Sequence, residues 1–310
     1  MCKVTISLFQ LAKQFPDAEA ARLHIENVRW SGMPVCPRCH ADVKQYAQNR
    51  KGEPGYYICA SCEKNYTVRT GTIFERSHVP LHKWLFAIYL VVTARKGVSS
   101  LQLSKEIGVT QHTAWFMLQR IRKACRDDNN GSIHLWGIVE ADETYIGGKE
   151  TNKHQNKRLK VGGKFAGKTA VIGMRQRGGR VVARPLQSTR HDVIRAAVLK
   201  SVVPDSILCT DEHRAYKGMR QYIHKTVNHS AKQYVKGIAH TNSIESVWAV
   251  LKRAIHGTWH SVSPKYLQLY LNEACFRFNS GNVGIPVRRR IKSLIGMCFG
   301  KRLTWRKLTA

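Results

Sequence analysis

The chain has 310 residues, 43% of them apolar, enough to bury an ordinary core in one or two domains. Its 51 Lys and Arg face only 20 Asp and Glu, a formal net charge of +31. This excludes a balanced, self-contained surface, because repulsion of that size opposes compaction and a polyanion relieves it by releasing its own counterions.

Nucleic acid is the first partner this implies and an anionic membrane the second. The longest apolar run, Trp84 to Thr93, is about half the length needed to span a bilayer, so the expectation is no membrane partner. The opening MCKVTISLFQLAKQF turns polar early and lacks the long apolar core of a leader. A reducing compartment is therefore expected, in which cysteines stay free. Leu8, Leu11 and Phe15, then Leu23, Ile25 and Val28, predict two short helices broken at Phe15-Pro16-Asp17. Pro16 restricts the residue before it, and Asp17 is placed to cap the second helix.

Cys36, Cys39, Cys59 and Cys62 read C-x2-C, a gap of nineteen residues, then C-x2-C. Each pair sets two thiolates on a tight turn, and two such knuckles complete a tetrahedral sulfur cage. Four unrelated buried thiols would require two matched pairs by accident. A closed four-ligand site predicts structural rather than catalytic Zn2+. Cys2, Cys125, Cys209, Cys275 and Cys298 lack such partners and read as small apolar residues.

Beyond Thr70 the pattern becomes helical. Pro80 to Arg95 is one predicted helix; Ser99 to Ile107, Gly108, and Thr110 to Cys125 have the form helix, turn, helix, with Ser99 and Thr110 as N-caps. The second helix would present Gln111, His112 and Thr113 to base edges, with Arg120, Arg122, Lys123 and Arg126 reaching phosphates. The bland alternative is an all-helical packing module, and whether these side chains read sequence or grip the backbone stays open.

From His134 the pattern is mixed. His134 to Asp142 is an apolar strand ending in acid; Lys168 to Met174 and Arg180 to Leu186, joined by Gly178-Gly179, predict a hairpin. A helix over His191 to Ser201, a strand from Ser206 to Asp211 and a long helix from Ile238 to His256 follow. This is the element order of a ribonuclease-H-like α/β domain. Asp142 and Asp211 are expected at the carboxyl ends of buried strands, where open α/β sheets hold ligands. Such carboxylates are costly unless cations meet them, and Mg2+ or Mn2+ held by oxygen ligands is the expected answer. Glu245 is the third acid, Asn242 a rival oxygen ligand on the same side of the helix, and Lys252 lies on a similar face. Glu140, Glu143 and Glu212 are expected to point away from the site.

The chain resembles the DDE transposases of bacterial insertion sequences in the ISXO-like group, related to the Merlin transposases. The resemblance rests on RW-x4-VCPRCH with CASC, TGTIFERSHVPLHKW, VEADETYIGG, LCTDEHRAY and HTNSIESVWAVLKRAIHGTWHSVSPKYLQLYLNEACFRFN. It runs from about Phe15 to Asn279. It implies cleavage at transposon ends and joining of the freed 3′-hydroxyl to target DNA, with two divalent metals. Asp142 matches the family's first acid and Asp211 its second. The third position is variable, with Asn, His or Glu filling it, so Asn242 and Glu245 both remain eligible; Glu245 ranks first because Lys252 follows at the spacing seen in many such enzymes. Lys252 would then touch a terminal base or phosphate, with Arg253 beside it. Double-stranded DNA, a homo-oligomer holding two ends, and a bacterial cytoplasmic, nucleoid-associated location follow as expectations.

Two basic stretches complete the reading. Lys149 to Lys168, with Lys153, Lys157, Arg158, Lys160 and Lys164 among glycines, is expected to be ordered by DNA. Val287 to Lys307 holds Arg288, Arg289, Arg290, Lys292, Lys301, Arg302, Arg306 and Lys307, and the overall excess of cations favours phosphate contact by both stretches over a merely solvated charge run. The expected organisation is multi-domain α+β: helices plus zinc ribbon over 1–70, a helix-turn-helix-like segment over 71–130, a ribonuclease-H-like domain over 131–282 and a basic tail over 283–310. The rival reading is a zinc-ribbon, helix-turn-helix regulator with a non-catalytic back half, which has no use for acids at two strand ends.

Overall fold

A computed structural model describes residues 6–41, 43–50, 53–126, 134–148, 150–159, 165–227, 235 and 237–310. The chain divides into two compact units, Met1–Arg126 with Ser280–Ala310, and Asp127–Asn279.

In the first unit, α1 (Leu8–Gln14) opens with a capping box in which Ser7 and Gln10 each accept the other's backbone N–H. Asp17 caps α2 (Ala18–Trp30) as expected, accepting the N–H of Ala20 at 2.8 Å. A three-stranded antiparallel sheet follows, β1 (Gln45–Arg50), β2 (Glu53–Cys59) and β3 (Asn65–Thr67), in that order. Its small core is sulfur and rings: Cys36, Cys59 and Tyr66 are buried, with Trp30 and Tyr57 packed against them. The apolar run from Trp84 lies in α3 (Leu81–Thr93), which buries Trp84, Leu85, Ile88 and Val91. The next two helices, α4 (Ser100–Ile107) and α5 (Gln111–Ala124), meet at Gly108, whose φ of +60° is left-handed and favours a residue without Cβ. Ser99 and Thr110 cap them.

The second unit is built on a five-stranded sheet. Its elements are β4 (Ile138–Ile146), β5 (Thr169–Gln176), β6 (Val181–Pro185), α6 (His191–Leu199), β7 (Ile207–Thr210), β8 (Ile223–Thr226), α7 (Asn242–Ala254) and α8 (Leu267–Phe278). The strand order is β6-β5-β4-β7-β8; β4, β5 and β6 run antiparallel, while β7 is parallel to β4 and β8 to β7. Alternation along β4 sends Val139 and Ala141 into one core with Ile194 and Val198 of α6, and Ile146 into the other with Ile244, Val247 and Leu251 of α7 and Leu271 of α8.

The first strand departs from the expectation that it ends at Asp142. It begins at Ile138 and continues to Ile146, because β5 pairs with it throughout, Ile146 opposite Thr169. The pairing with β7 ends earlier, at Glu140 opposite Cys209. Asp142, on β4, and Asp211, the residue after β7, therefore lie just where the ladder between these parallel strands has run out. The long helix also starts later, at Asn242 rather than Ile238, and passes into a π turn over Ile255–Trp259.

After α8 the chain returns to the first unit as α9 (Val287–Met297) and α10 (Trp305–Thr309). Residues 283–310 are thus not a solvated tail. Val287, Ile291, Leu294 and Ile295 recur at helical spacing among the cations and are buried. Arg290, only 7% exposed, donates to the carbonyl of Val92 at 2.9 Å, and Lys301 donates to that of Ala124 at 2.9 Å. Arg302 pairs with Glu75 at 3.2 Å.

Candidate functional site

The four ribbon cysteines come together with all their sulfur atoms within 4.8 Å of one another. Cys36 Sγ lies 3.7 Å from Cys62 Sγ, and Cys39 Sγ 3.5 Å from Cys59 Sγ, close to the edge of about 3.8 Å that a tetrahedron of Zn–S bonds requires. The backbone N–H of Cys62 draws the Cys59 thiol down to about 6. Cys39, although the N–H of Ala41 lowers it, is driven up to about 11 by desolvation and by the sulfurs around it. Four thiolates packed this closely need a dication, and an all-sulfur tetrahedral set suits Zn2+. The aromatic floor holds the knuckles in place: Trp30 meets Tyr57 and Tyr66 edge-on, and Tyr57 and Tyr66 donate to Glu26 and Gln45.

In the helical pair, Gln111 and His112 are exposed at the start of α5 and Thr113 is half-buried. The His112 ring lies 4.5 Å from that of Trp305 in α10, which also contacts Trp115 and Phe116. Only the first turn of α5 is therefore open. Arg120 corrects the sequence reading. It is 6% exposed, and its guanidinium donates to the carbonyls of Leu303, Ile73 and Glu75. Burial lowers its pKa to about 10. It knits the C-terminal segment to the helices and reaches no phosphate. Arg122 is buried as well. The helical period explains both, since Arg120 and Arg122 fall where α5 passes under its neighbours rather than on its outer face.

Asp142 and Glu245 are both tied to α7. Trp248 donates its indole N–H to Asp142 Oδ2 at 3.0 Å. Room for that ring comes from Gly173, the residue opposite Asp142 on β5, where an added Cβ would lie 2.4 Å from two Trp248 ring carbons. The Asp142 carboxyl is pushed up to about 6, first by burial and then by the charge of Asp211, with a further push from Glu245. Asp211 accepts the N–H of His213 at 3.0 Å. Glu245 sits exposed in the first turn of α7, where the helix dipole favours an anion, and accepts the Thr241 hydroxyl at 2.8 Å. Asn242 is the exposed first residue of α7, one turn from Glu245, and Lys252 and Arg253 are exposed in its last turn. Asp142 thus feels the charge of both Asp211 and Glu245. Among the described residues, only the cysteines form a group of three or more ligand side chains drawn to metal-binding spacing.

Glu140 does not point away from this region. Two residues before Asp142, it shares the same face of β4 and is fully buried. Its Oε2 accepts the N–H groups of Ser243 at 2.8 Å and Ile244 at 3.1 Å, and Oε1 accepts from Arg177 Nε at 2.8 Å. A glutamate in the middle of the sheet thereby caps the helix that carries Glu245. Counting back from Asp142 by twos would have found it. Glu143 lies on the opposite face, as alternation requires, but it is not at the surface. It accepts the Tyr216 hydroxyl, and burial pushes its carboxyl up to about 8 against that bond, with Asp142 and Asp211 adding to the rise. Glu212 is exposed. Trp248 and Gly173 carried no sequence signal, because their role exists only across the β4–β5 pairing.

In the basic loop, Lys153 pairs with Glu150, and Arg158 donates to the carbonyls of Lys153 at 2.9 Å and Thr151 at 2.8 Å. Phe165 stacks on Tyr145 with ring centres 3.8 Å apart. Lys149, Lys160, Lys164 and the side chain of Lys157 lie outside the described residues.

No helix among the described residues is long and apolar enough to cross a membrane. Residues 134–279 match the ISXO2-like transposase domain, and residues 16–65 match the transposase zinc-ribbon domain. A protein of Halobacterium salinarum described as an uncharacterized protein in transposable element ISH50 is 29% identical over 254 residues, covering 78% of this chain and 84% of its own length. The ribbon's sulfur cage lies in one matched segment and Asp142, Asp211 and Glu245 in the other, so the chain carries a transposase zinc ribbon followed by an ISXO2-like transposase domain.

Proposed function

We propose that the chain cleaves DNA at the ends of its element and joins the freed 3′-hydroxyl to a target strand, with Asp142, Asp211 and Glu245 holding two Mg2+ or Mn2+ ions. The observation that carries this reading is the position of Asp142 on β4 and of Asp211 directly after the neighbouring parallel strand β7, with Glu245 close enough to raise the proton affinity of Asp142. Carboxylates placed to repel one another resist ionisation unless hard cations neutralise them, and an all-oxygen set suits Mg2+ or Mn2+. Bound at such a site, two divalent ions activate the attacking oxygen and stabilise the leaving one.

The chain's own residues supply position. Trp248 fixes the Asp142 carboxylate through its N–H, Glu140 fixes the start of the Glu245 helix, and the amide of His213 fixes Asp211. Glu245 ranks above Asn242 because a carboxylate neutralises cation charge and an amide does not. Three antiparallel strands, a helix and two further parallel strands, in the order β6-β5-β4-β7-β8, support a ribonuclease-H-like reading of the second unit. Exposed Lys252 and Arg253, with Gln111, His112, Thr113 and Arg158, are the proposed contacts to double-stranded DNA in a cytoplasmic homo-oligomer holding two ends.

The test is cleavage of labelled DNA carrying the element's ends, with Mg2+ or Mn2+ added. Asp142→Asn and Asp211→Asn should abolish metal-dependent cleavage while leaving DNA binding in place. Cleavage at the wild-type rate by either variant overturns the assignment. Tight binding without cleavage by the unaltered chain favours the DNA-binding regulator.

A further inference from the structure

Beside Asp211 the second unit carries a groove of about 470 Å³ lined by Asp211, Glu212, His213, Arg214, Lys217, His224 and Thr226, so its two cations face two carboxylates. The turn that forms its wall is tied by hydrogen bonds at both ends. Asp211 accepts the N–H of His213, and His213 Nδ1 accepts that of Ala215 at 3.3 Å. Ala215 and Tyr216 are buried, with the Tyr216 hydroxyl donating to Glu143. Arg195 of α6 donates to the carbonyl of Gly218 at 3.0 Å and holds the far side. The anchored pair leaves Arg214 and Lys217 exposed on either side of it.

Arg214–Tyr216 is a 3-10 turn with Lys217 as its C-cap. Residues three apart eclipse in such a turn, with about 6 Å of rise between them. Arg214 and Lys217 thus rise from the same side of a fixed scaffold, and neither forms an ion pair with a described residue. Two unspent cations on a pre-organised turn, directly after an acid, match the needs of a polyanion that must approach a cluster of carboxylates. A phosphodiester entering there meets repulsion from Asp142 and Asp211, and positive charge at the entry offsets it.

We propose that this groove seats the sugar–phosphate backbone of one DNA strand, with Arg214 and Lys217 each neutralising a phosphate next to the Asp142–Asp211 centre. The proposal rests on the reading of that centre as a DNA-processing site. It assigns a strand-binding role to Arg214, which the LCTDEHRAY motif holds without a role, and to Lys217, which lies just beyond that motif.

The test uses the full chain, a fluorescent duplex with a single-stranded overhang, and no added divalent cation, with affinity measured by anisotropy across a salt series. Each phosphate neutralised contributes roughly 0.7 to 0.9 to the slope of log affinity against log salt. Arg214→Ala with Lys217→Ala should therefore lower the slope by about 1.4 to 1.8, and Arg214→Lys should leave it unchanged. If the double variant melts early, Arg214→Gln and Lys217→Gln singly should each give half that fall. An unchanged slope in folded protein overturns the proposal. So does protection of Lys217 from an amine-reactive label by inorganic phosphate as effectively as by the oligonucleotide, since the groove would then be a small-anion pocket. A chain that shows the fall but never cuts DNA keeps the groove and loses the catalytic reading. A chain that cuts DNA with an unchanged slope does the reverse.

Discussion

Replacing Glu140 by Ala removes a carboxylate that is 0% exposed and holds three donors at once: the N–H groups of Ser243 and Ile244 and the guanidinium of Arg177. Losing a helix N-cap costs about 1–2 kcal/mol, and losing an anion at a buried helix start adds up to about 2 kcal/mol. Arg177 is left facing an empty site, but its side chain is 21% exposed, so water partly resolvates it. The expected loss is about 3 kcal/mol, at the lower edge of what breaking a buried ion pair costs. Glu140→Gln keeps the shape and an acceptor oxygen and should lose about 1–2 kcal/mol. Urea unfolding followed by fluorescence reads the loss, and hydrogen exchange at Ser243 and Ile244 reads its location. A loss below about 1 kcal/mol for Glu140→Ala, or unchanged protection of those two amides, refutes the cap.

Further outcomes follow from the same geometry. Gly173→Ala places a Cβ against the Trp248 ring and should destabilise by about 1–3 kcal/mol through overpacking, with loss of activity from displacement of the indole that holds Asp142; full stability and activity would contradict this. Arg120→Ala should cost about 3 kcal/mol, the range for a hydrogen-bonded buried charge, while leaving the salt dependence of DNA binding unchanged. Without divalent metal, Asp142→Asn should raise stability at pH 7 by up to about 3 kcal/mol, because folding raises the carboxyl from 3.8 to about 6 and each tenfold gain in proton affinity is worth about 1.4 kcal/mol. The sign is that of an acid whose folded pKa is raised: the penalty is absent below the unfolded pKa, grows as pH rises through the two values and persists above them. The advantage of Asn should thus vanish near pH 4. Cys59→Ser, or a strong chelator, should release the ribbon's zinc and unfold that segment, measured by zinc assay and circular dichroism; a folded ribbon without metal would contradict the cage.

The parts of this protein that were legible in its sequence are those written in local chemistry. The zinc ribbon follows from four cysteines, the caps from Asp17, Ser99 and Thr110, and the hairpin from Gly178-Gly179. Asp142 and Asp211 stand out as candidates in the sequence because acids at apolar strands are conspicuous in a basic chain. What stayed hidden depends on pairing across the fold. The extension of β4 beyond Asp142 is set by β5, and the place where the two half-buried acids lie is set by where the β7 ladder stops. Glu140 was misjudged because a buried glutamate looks like any charged neighbour until the helix it caps is seen. Arg120, Arg290 and Lys301 read as phosphate contacts from charge alone, yet each binds backbone carbonyls within the first unit. Net charge counts cations without saying which of them are already in use.

The most direct test of the central claim is a joining assay with a pre-cleaved element end. One substrate carries a 3′-hydroxyl and the other a 3′-deoxy terminus, each mixed with target DNA, the full chain and Mg2+ or Mn2+. The account predicts joined product only from the 3′-hydroxyl substrate, only with metal, and none from the Asp211→Asn protein. Joined product from the Asp211→Asn protein, or none from the unaltered chain in either metal, contradicts it.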